Sequence, residues 1–272
     1  MSVSTTSRAI HEGQRNWDRD SYSISAVLPA YNEEAVIEQI VRRVASVLAS
    51  LGRDFEVVVT NDGSQDRTGA ILARLHATEA SLHLRVITHQ TNRGYGAALA
   101  SGFDAASGRL ILMLDADGQF DVSEVVRLLT AMNDRVDMVI GDRARRADPP
   151  MRLLNAWGWK QLVNGLFGYT AGDIDCAFKL FRGEVWQSVH VKSRGATFSA
   201  ELLIKARRLG FSVVEVPVTH LPRTAGSPTG AHPRVIARAF IELFKLRVHL
   251  NRDLAAAPAG AMHSRRTPVR AA

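Results

Sequence analysis

The sequence predicts an α/β fold built on a doubly wound, mostly parallel sheet. Three observations lead there. Short β-branched runs alternate with amphipathic helical stretches through the first half of the chain. Polar clusters follow the strand runs, where ligands bind in such sheets. The length of 272 residues and the 46% apolar content suit one large domain with a sizeable core.

The elements follow in order. Residues 1–21 are polar and patternless and read as a mobile arm. Ile24 to Leu28 reads as a buried strand ended by Pro29. From Glu33 to Leu51 apolar residues recur at helical spacing, and Gly52 stands at a C-cap position. Phe55 to Thr60 is too short for a helix and rich in valine, hence a strand. Asn61 to Ser64 is turn chemistry, and Asp66 to Leu75 reads as helix. Strands over 84–88, 110–114 and 137–140 alternate with helices over 94–106 and 122–132.

The second half is less regular. It offers helices over 151–167 and 200–209, strands over 177–181 and 211–218, and a Pro/Gly loop over 222–233. An amphipathic helix is expected over 234–250, with Val235, Ile236, Ala239, Phe240, Leu243 and Phe244 on one face. Residues 251–272 read as a disordered basic tail, so the core domain spans 22–250.

Composition removes several classes of function. The single Cys176 excludes an internal disulfide framework and a cysteine-only zinc site. No apolar run reaches the roughly 20 residues of a membrane span, and the N-terminus lacks a secretory signal's apolar middle. A cytoplasmic location is therefore expected. The net charge is +7, and the segment from Ala231 onward carries +6 of it. Such a tail suits an anionic partner, such as an anionic membrane surface at the inner face, or else is a solvated tail that aids solubility. Nucleic acid is not expected, because almost no aromatics interleave the basic residues after Phe244. The glycines of Asn92-Arg93-Gly94-Tyr95-Gly96 lack the dinucleotide spacing, and no Walker A, zinc-protease or serine-hydrolase motif is present.

Asp115-Ala116-Asp117 is the sharpest chemical feature. Two carboxylates leave a buried strand end one residue apart, with Gln119 just beyond. Adjacent anions near a core call for a cation, and hard oxygen donors suit Mg²⁺ or Mn²⁺. Asp62, at another strand end, suits a nucleobase or ribose, or else caps the following helix. Arg143, Arg152 and Arg223 are candidate phosphate clamps. Asp173 and Asp175 precede an apolar run and could orient an acceptor or act as a base.

Taken together, PAYNEE (29–34), VVVTNDGS (57–64), NRGYGAAL (92–99), DADGQFD (115–121), GDR (141–143) and DIDCAFKLF (173–181) resemble the inverting GT-A glycosyltransferases of family 2. With the PRTAGSPTG loop (222–230), the pattern most resembles the branch that makes polyprenyl-phosphate sugars, the dolichyl-phosphate mannose and glucose synthases. The resemblance implies a GT-A fold and transfer of a hexose from GDP-mannose or UDP-glucose to a polyprenyl phosphate. Pro29, Tyr31, Glu33 and Asp62 would hold the nucleoside. Asp115, Asp117 and Gln119 would make metal and ribose contacts, with Asp117 catalytic. Arg143 and Arg223 would meet the diphosphate, and Asp173 would serve the acceptor as a catalytic residue.

Two departures stand out: Pro228 follows Ser227 where many members carry lysine, and no membrane span follows the domain. A family 2 enzyme acting on a glycan or small soluble acceptor is the alternative. A non-catalytic nucleotide-sugar sensor is a third reading.

Overall fold

Seven strands form one sheet in the order β3-β2-β1-β4-β6-β5-β7 in the computed structural model, which describes residues 23–145, 150–222 and 233–255. The strands are β1 (Ile24–Ala30), β2 (Phe55–Asn61), β3 (Leu84–Thr88), β4 (Leu110–Met113), β5 (Met138–Arg145), β6 (Lys179–Arg182) and β7 (Val213–Thr219). The helices are α1 (Ile37–Ser50), α2 (Thr68–Thr78), α3 (Tyr95–Ala105), α4 (Val125–Ala131), α5 (Pro150–Phe167), α6 (Gly183–Ser188), α7 (Phe198–Arg208) and α8 (Pro233–Ala255).

The four residues of β4 are all buried, and β1 is buried but for a partly covered Pro29. That is why these strands read as continuous apolar runs: helices cover both faces. Val27, Leu28, Val58, Leu112 and Ile140 are fully buried and form the centre of one continuous core. On the helical side, α3 presents Phe103, whose ring meets Phe181, Trp186 and Phe198 edge-on or tilted at 5.0–6.1 Å.

β1 pairs with β2 as far as Ala30↔Asn61, but with β4 only as far as Val27↔Met113. β4 therefore leaves the sheet while β1 continues, and a crevice opens between them at the point where strand order reverses. Val27 accepts a bond from Leu114 on that side, and Pro29, two residues on, faces the same way. A proline there withholds no ladder bond, because the neighbouring strand has already gone.

β6 is antiparallel to both β4 and β5. All other pairings are parallel, so the chain entering β6 lies on the same rim as the carboxyl ends of the other strands. Sequence alternation alone does not reveal that reversal.

Several expected boundaries move. The first helix begins at Ile37 rather than Glu33, because residues 31–34 are tied to the next loop instead. Glu33 N–H donates to Thr68 Oγ1 at 2.9 Å and Glu34 N–H to Asp66 Oδ2 at 3.1 Å. Gly141-Asp142-Arg143 lies inside β5, not beyond its end, because β7 pairs with it along that stretch. α6 was not foreseen; its six residues are too few for a periodic signal.

α8 is longer than expected and runs to Ala255, since no helix breaker occurs before Pro258. Its core face also differs. Ala239, Leu243, Leu246 and Leu250 are buried, whereas Phe240 and Phe244, expected alongside Leu243, are exposed. The arm (1–21), residues 256–272 of the tail, Arg223 with its loop, and the Arg152 side chain lie outside the described residues. Among the described residues, no helix is long and apolar enough to cross a membrane.

Candidate active site

The rim of the β1/β4 crevice gathers the polar clusters. On its left wall, Asn32 adopts φ +56°, and its side chain and backbone clasp the 64–65 turn: Gln65 N–H donates to Asn32 Oδ1 (2.8 Å) and Asn32 N–H to Ser64 Oγ (3.0 Å). Pro29, Tyr31 and Glu33 therefore stand beside the loop that carries Asp62, each only partly covered.

Asp62 does not cap the following helix; Asp66 does, accepting from Thr68 N–H at 2.9 Å. Asp62 instead reaches across to the next loop. It accepts from the N–H groups of Arg93 and Gly94, both at 2.9 Å, and lies 2.6 Å from His89 Nδ1. A carboxylate accepting two backbone bonds places the proton on Nδ1. His89 Nε2 then accepts a hydrogen bond from the Ser101 hydroxyl at 2.9 Å. The loop that Asp62 holds depends on Gly94, which has φ +98° and whose missing Cβ would lie 2.6 Å from the Arg194 carbonyl oxygen. No other residue type fits there without strain.

Asp115 and Asp117 follow the last residues of β4 at the crevice mouth. Tyr95, at the first turn of α3, donates its hydroxyl to Asp115 Oδ1 at 2.9 Å. Burial and the neighbouring Asp117 charge lift the Asp115 carboxyl to about 6, against the stabilising effects of Tyr95, Lys179 and Arg143. Burial and the same acids push the Tyr95 hydroxyl well up, so it stays a donor. Asp117 Oδ1 accepts from Gln119 N–H at 3.0 Å. Gln119 in turn clasps the chain leaving β7. Its Nε2 donates to the Leu221 carbonyl at 3.2 Å, and Leu221 N–H donates to the Gln119 carbonyl at 2.8 Å. Leu221, near the end of the described residues that follow β7, is thus held beside the acidic turn.

Asp173 and Arg143 meet each other. Arg143 Nε donates to Asp173 Oδ2 at 2.6 Å and Nη2 to Oδ1 at 2.8 Å, with both side chains buried. Burial works against the Arg143 charge, but the Asp173 bonds outweigh it and hold the guanidinium firmly protonated. Asp175, by contrast, is exposed, and its charge acts on Tyr95, Arg143 and Lys179.

Lys179, at the start of β6, is wholly buried and pairs in register with Met113 of β4. Its ammonium donates to the carbonyls of Ile174 (3.2 Å) and Cys176. It therefore pins the turn that displays Asp173 and Asp175. Burial pulls its pKa down and pushes the Cys176 thiol up to about 12, so that thiol is inert. Of these residues, Tyr95, His89 and Lys179 carried no assignable role in the sequence; each acts through a contact distant along the chain.

The donor set fits a hard divalent cation. Two carboxylates stand one residue apart at a strand end, Asp117 buried and Asp115 partly covered, and burial together with the Asp117 charge raises the Asp115 pKa. Among the described residues, no group of three or more His, Cys, Asp or Glu forms a full protein cage. Mg²⁺ and Mn²⁺ sites that complete their coordination with water and substrate phosphate need none.

The sequence pattern of Glycosyl transferase family 2 matches residues 25–188, which include every residue of this rim up to β6. The chain belongs to that family. The fold agrees with solved structures of glucosyl-3-phosphoglycerate synthase from Mycobacterium tuberculosis. The form with uridine diphosphate shares 21% identity over 84% of this chain and 80% of that chain, at a TM-score of 0.66. The form with Mn²⁺ and UDP-glucose shares 22% over 82% and 79%, at 0.61. The form with Mn²⁺, UDP and glucosyl-3-phosphoglycerate shares 20% over 88% and 82%, at 0.60. At such identity the likeness is one of fold.

Proposed function

We propose that this family 2 glycosyltransferase moves a hexose from a UDP-linked donor to a small, soluble, anionic acceptor, by direct displacement with inversion. The observation that carries the reading is the carboxylate pair, Asp117 buried and Asp115 partly covered, at the crevice where β1 and β4 part, with Asp115 tied to the Tyr95 hydroxyl beside the loop that Asp62 holds. The solved relatives, which hold UDP-glucose, Mn²⁺ and phosphoglycerate or its glucosylated product, favour that donor and acceptor class. Pro29, Tyr31, Glu33 and Asp62 flank the nucleoside. Asp115 and Asp117 hold Mg²⁺ or Mn²⁺, which when bound offsets the charge gathering on the departing diphosphate.

Asp173, with both oxygens on Arg143, acts as a positioning residue for the acceptor side. Asp175, exposed beside it, takes the proton of an acceptor hydroxyl. Asp175→Asn should then lower kcat about 10²-fold at unchanged Tm. It should also remove the acidic limb of the kcat profile; an unaltered kcat and profile would rule Asp175 out as the base.

The polyprenyl phosphate acceptor remains the second reading, favoured by the exposed apolar side chains of α5 and α8. Such a phosphate is largely dianionic at neutral pH and needs no base. The deciding experiment supplies labelled UDP-glucose or GDP-mannose, Mn²⁺ or EDTA, and either 3-phosphoglycerate or a short polyprenyl phosphate. Mn²⁺-dependent label in the aqueous product from UDP-glucose is expected. Label in the lipid phase would replace the first reading with the second. No transfer and no donor hydrolysis would favour the sensor reading.

Two further outcomes test the cation site. A carboxyl with a raised pKa keeps its proton more tightly in the folded protein. Without metal, its contribution to stability is therefore full below about 4 and is lost as pH rises through about 6. Mn²⁺ must displace that proton, so the Tm increase from Mn²⁺ should be larger at pH 7.5 than at pH 5. Equal increases would dissociate Asp115 from the ion. Tyr95→Phe removes the hydroxyl that orients Asp115, and Mn²⁺ affinity should fall about tenfold while donor KM rises with it.

A further inference from the structure

Among the described residues, eight of the ten large apolar side chains left exposed lie on two helices, α5 and α8. On α8 they are Phe240, Ile241, Phe244 and Val248, one continuous stripe opposite the buried Leu243, Leu246 and Leu250. On α5 they are Met151, Leu153, Leu154 and Trp157. The helices touch where the Trp159 ring meets Phe240 edge-on at 6.1 Å. The α8 stripe lines a shallow groove of about 530 Å³ shared with Lys245 and His249. α8 thus has two apolar faces. One completes the core, and the other faces out with its charges beside it. Val248 is 76% exposed, which a helix needing only a core face has no reason to present.

We infer that the outward face of α8, extended by α5, seats the protein on the surface of an anionic lipid bilayer. Charge selects this occupant. Lys245, Arg247 and Arg252 are exposed along the helix, and Arg265, Arg266 and Arg270 follow in the sequence. From Ala231 onward the segment carries +6. Of its two acids, Glu242 is turned inward, accepting from Thr197 Oγ1 at 2.8 Å. A second copy across a two-fold axis would set +6 against +6, whereas anionic headgroups complement it. Apolar residues sunk at the headgroup boundary, with lysine and arginine beside them, describe a helix lying in the membrane plane. The inference stands whichever acceptor the site uses. It needs no span, and none exists among the described helices.

Flotation of the full chain with vesicles tests it, using phosphatidylcholine alone or with phosphatidylglycerol added. Binding should require the anionic lipid and fall several-fold between 0.1 and 0.5 M salt, as roughly 10 Å screening at the lower salt shrinks. Ile241→Asp with Val248→Asp should lower the bound fraction about tenfold while Tm and sugar transfer hold. Lys245→Glu with Arg247→Glu should do the same through charge. Binding undiminished by the apolar pair would overturn the inference, leaving the basic tail alone responsible. So would sedimentation showing a dimer that the apolar pair splits, since a second copy would then cover the face. Equal binding to neutral vesicles would remove the charge argument and the inference with it.

Discussion

Replacing Asp117 with asparagine is expected to lower kcat for sugar transfer by about a thousandfold, or about 4 kcal/mol of transition-state stabilisation. Asparagine keeps an oxygen for the Gln119 N–H bond that Asp117 accepts at 3.0 Å, so the turn should hold. What disappears is one of two negative charges at the crevice. Mn²⁺ binding should weaken, and excess Mn²⁺ should restore only part of the rate. The Tm of the metal-free variant should rise or stay level, because the charge that raises Asp115 has gone. Kinetics at saturating donor, with calorimetry of Mn²⁺ binding, checks both. A variant that retains most of its rate would show that the pair does not hold the ion.

The second large effect concerns stability. Arg143→Leu should destabilise the protein by about 3–5 kcal/mol, because it leaves the Asp173 carboxylate buried without its partner. Asp173→Leu should be similarly harmful, since it strands the guanidinium. Replacing both together should recover much of the loss, for a buried pair exchanged for apolar groups is often close to neutral. Urea unfolding of the three variants measures this. If the double variant recovers stability but not transfer, the pair is needed for positioning the acceptor side. If each single variant keeps wild-type stability, the ion pair drawn between β5 and the 173–176 turn does not form in solution.

These two predictions differ in how legible their residues are. Asp117 could be singled out because its neighbours in sequence supply its setting: a buried apolar strand, then two acids and a glycine. The resemblance to family 2 fixed the same position. Arg143 could be recognised as a basic residue at a strand end, and was expected to meet a diphosphate. Its partnership with Asp173 spans thirty residues and follows from a strand reversal that leaves no local mark. Lys179 shows the same limit more sharply. In an apolar run it reads as an interruption, yet it is wholly buried and holds the Ile174 and Cys176 carbonyls.

The amphipathic pattern of α8 illustrates the converse. Periodicity located the helix, but two apolar stripes on one helix cannot be ranked from sequence. Packing against α7 and the 195–197 turn chose Leu243 and Leu246 for the core and left Phe240 and Phe244 outside.

By itself, then, the sequence determined the α/β class, the alternating elements of the first half, the acidic pair and the family. All of these rest on local periodicity, turn chemistry and short motifs. Tertiary structure alone decided that β6 runs antiparallel and so carries Asp173 and Asp175 to the rim. It also decided that Asp62 binds the 93–94 loop rather than a helix end, and which face of α8 meets the core. The physical reason is common to all three. Register and burial are set by contacts between segments far apart in the chain, where each competing local arrangement satisfies the same hydrogen bonds and hydrophobic pattern.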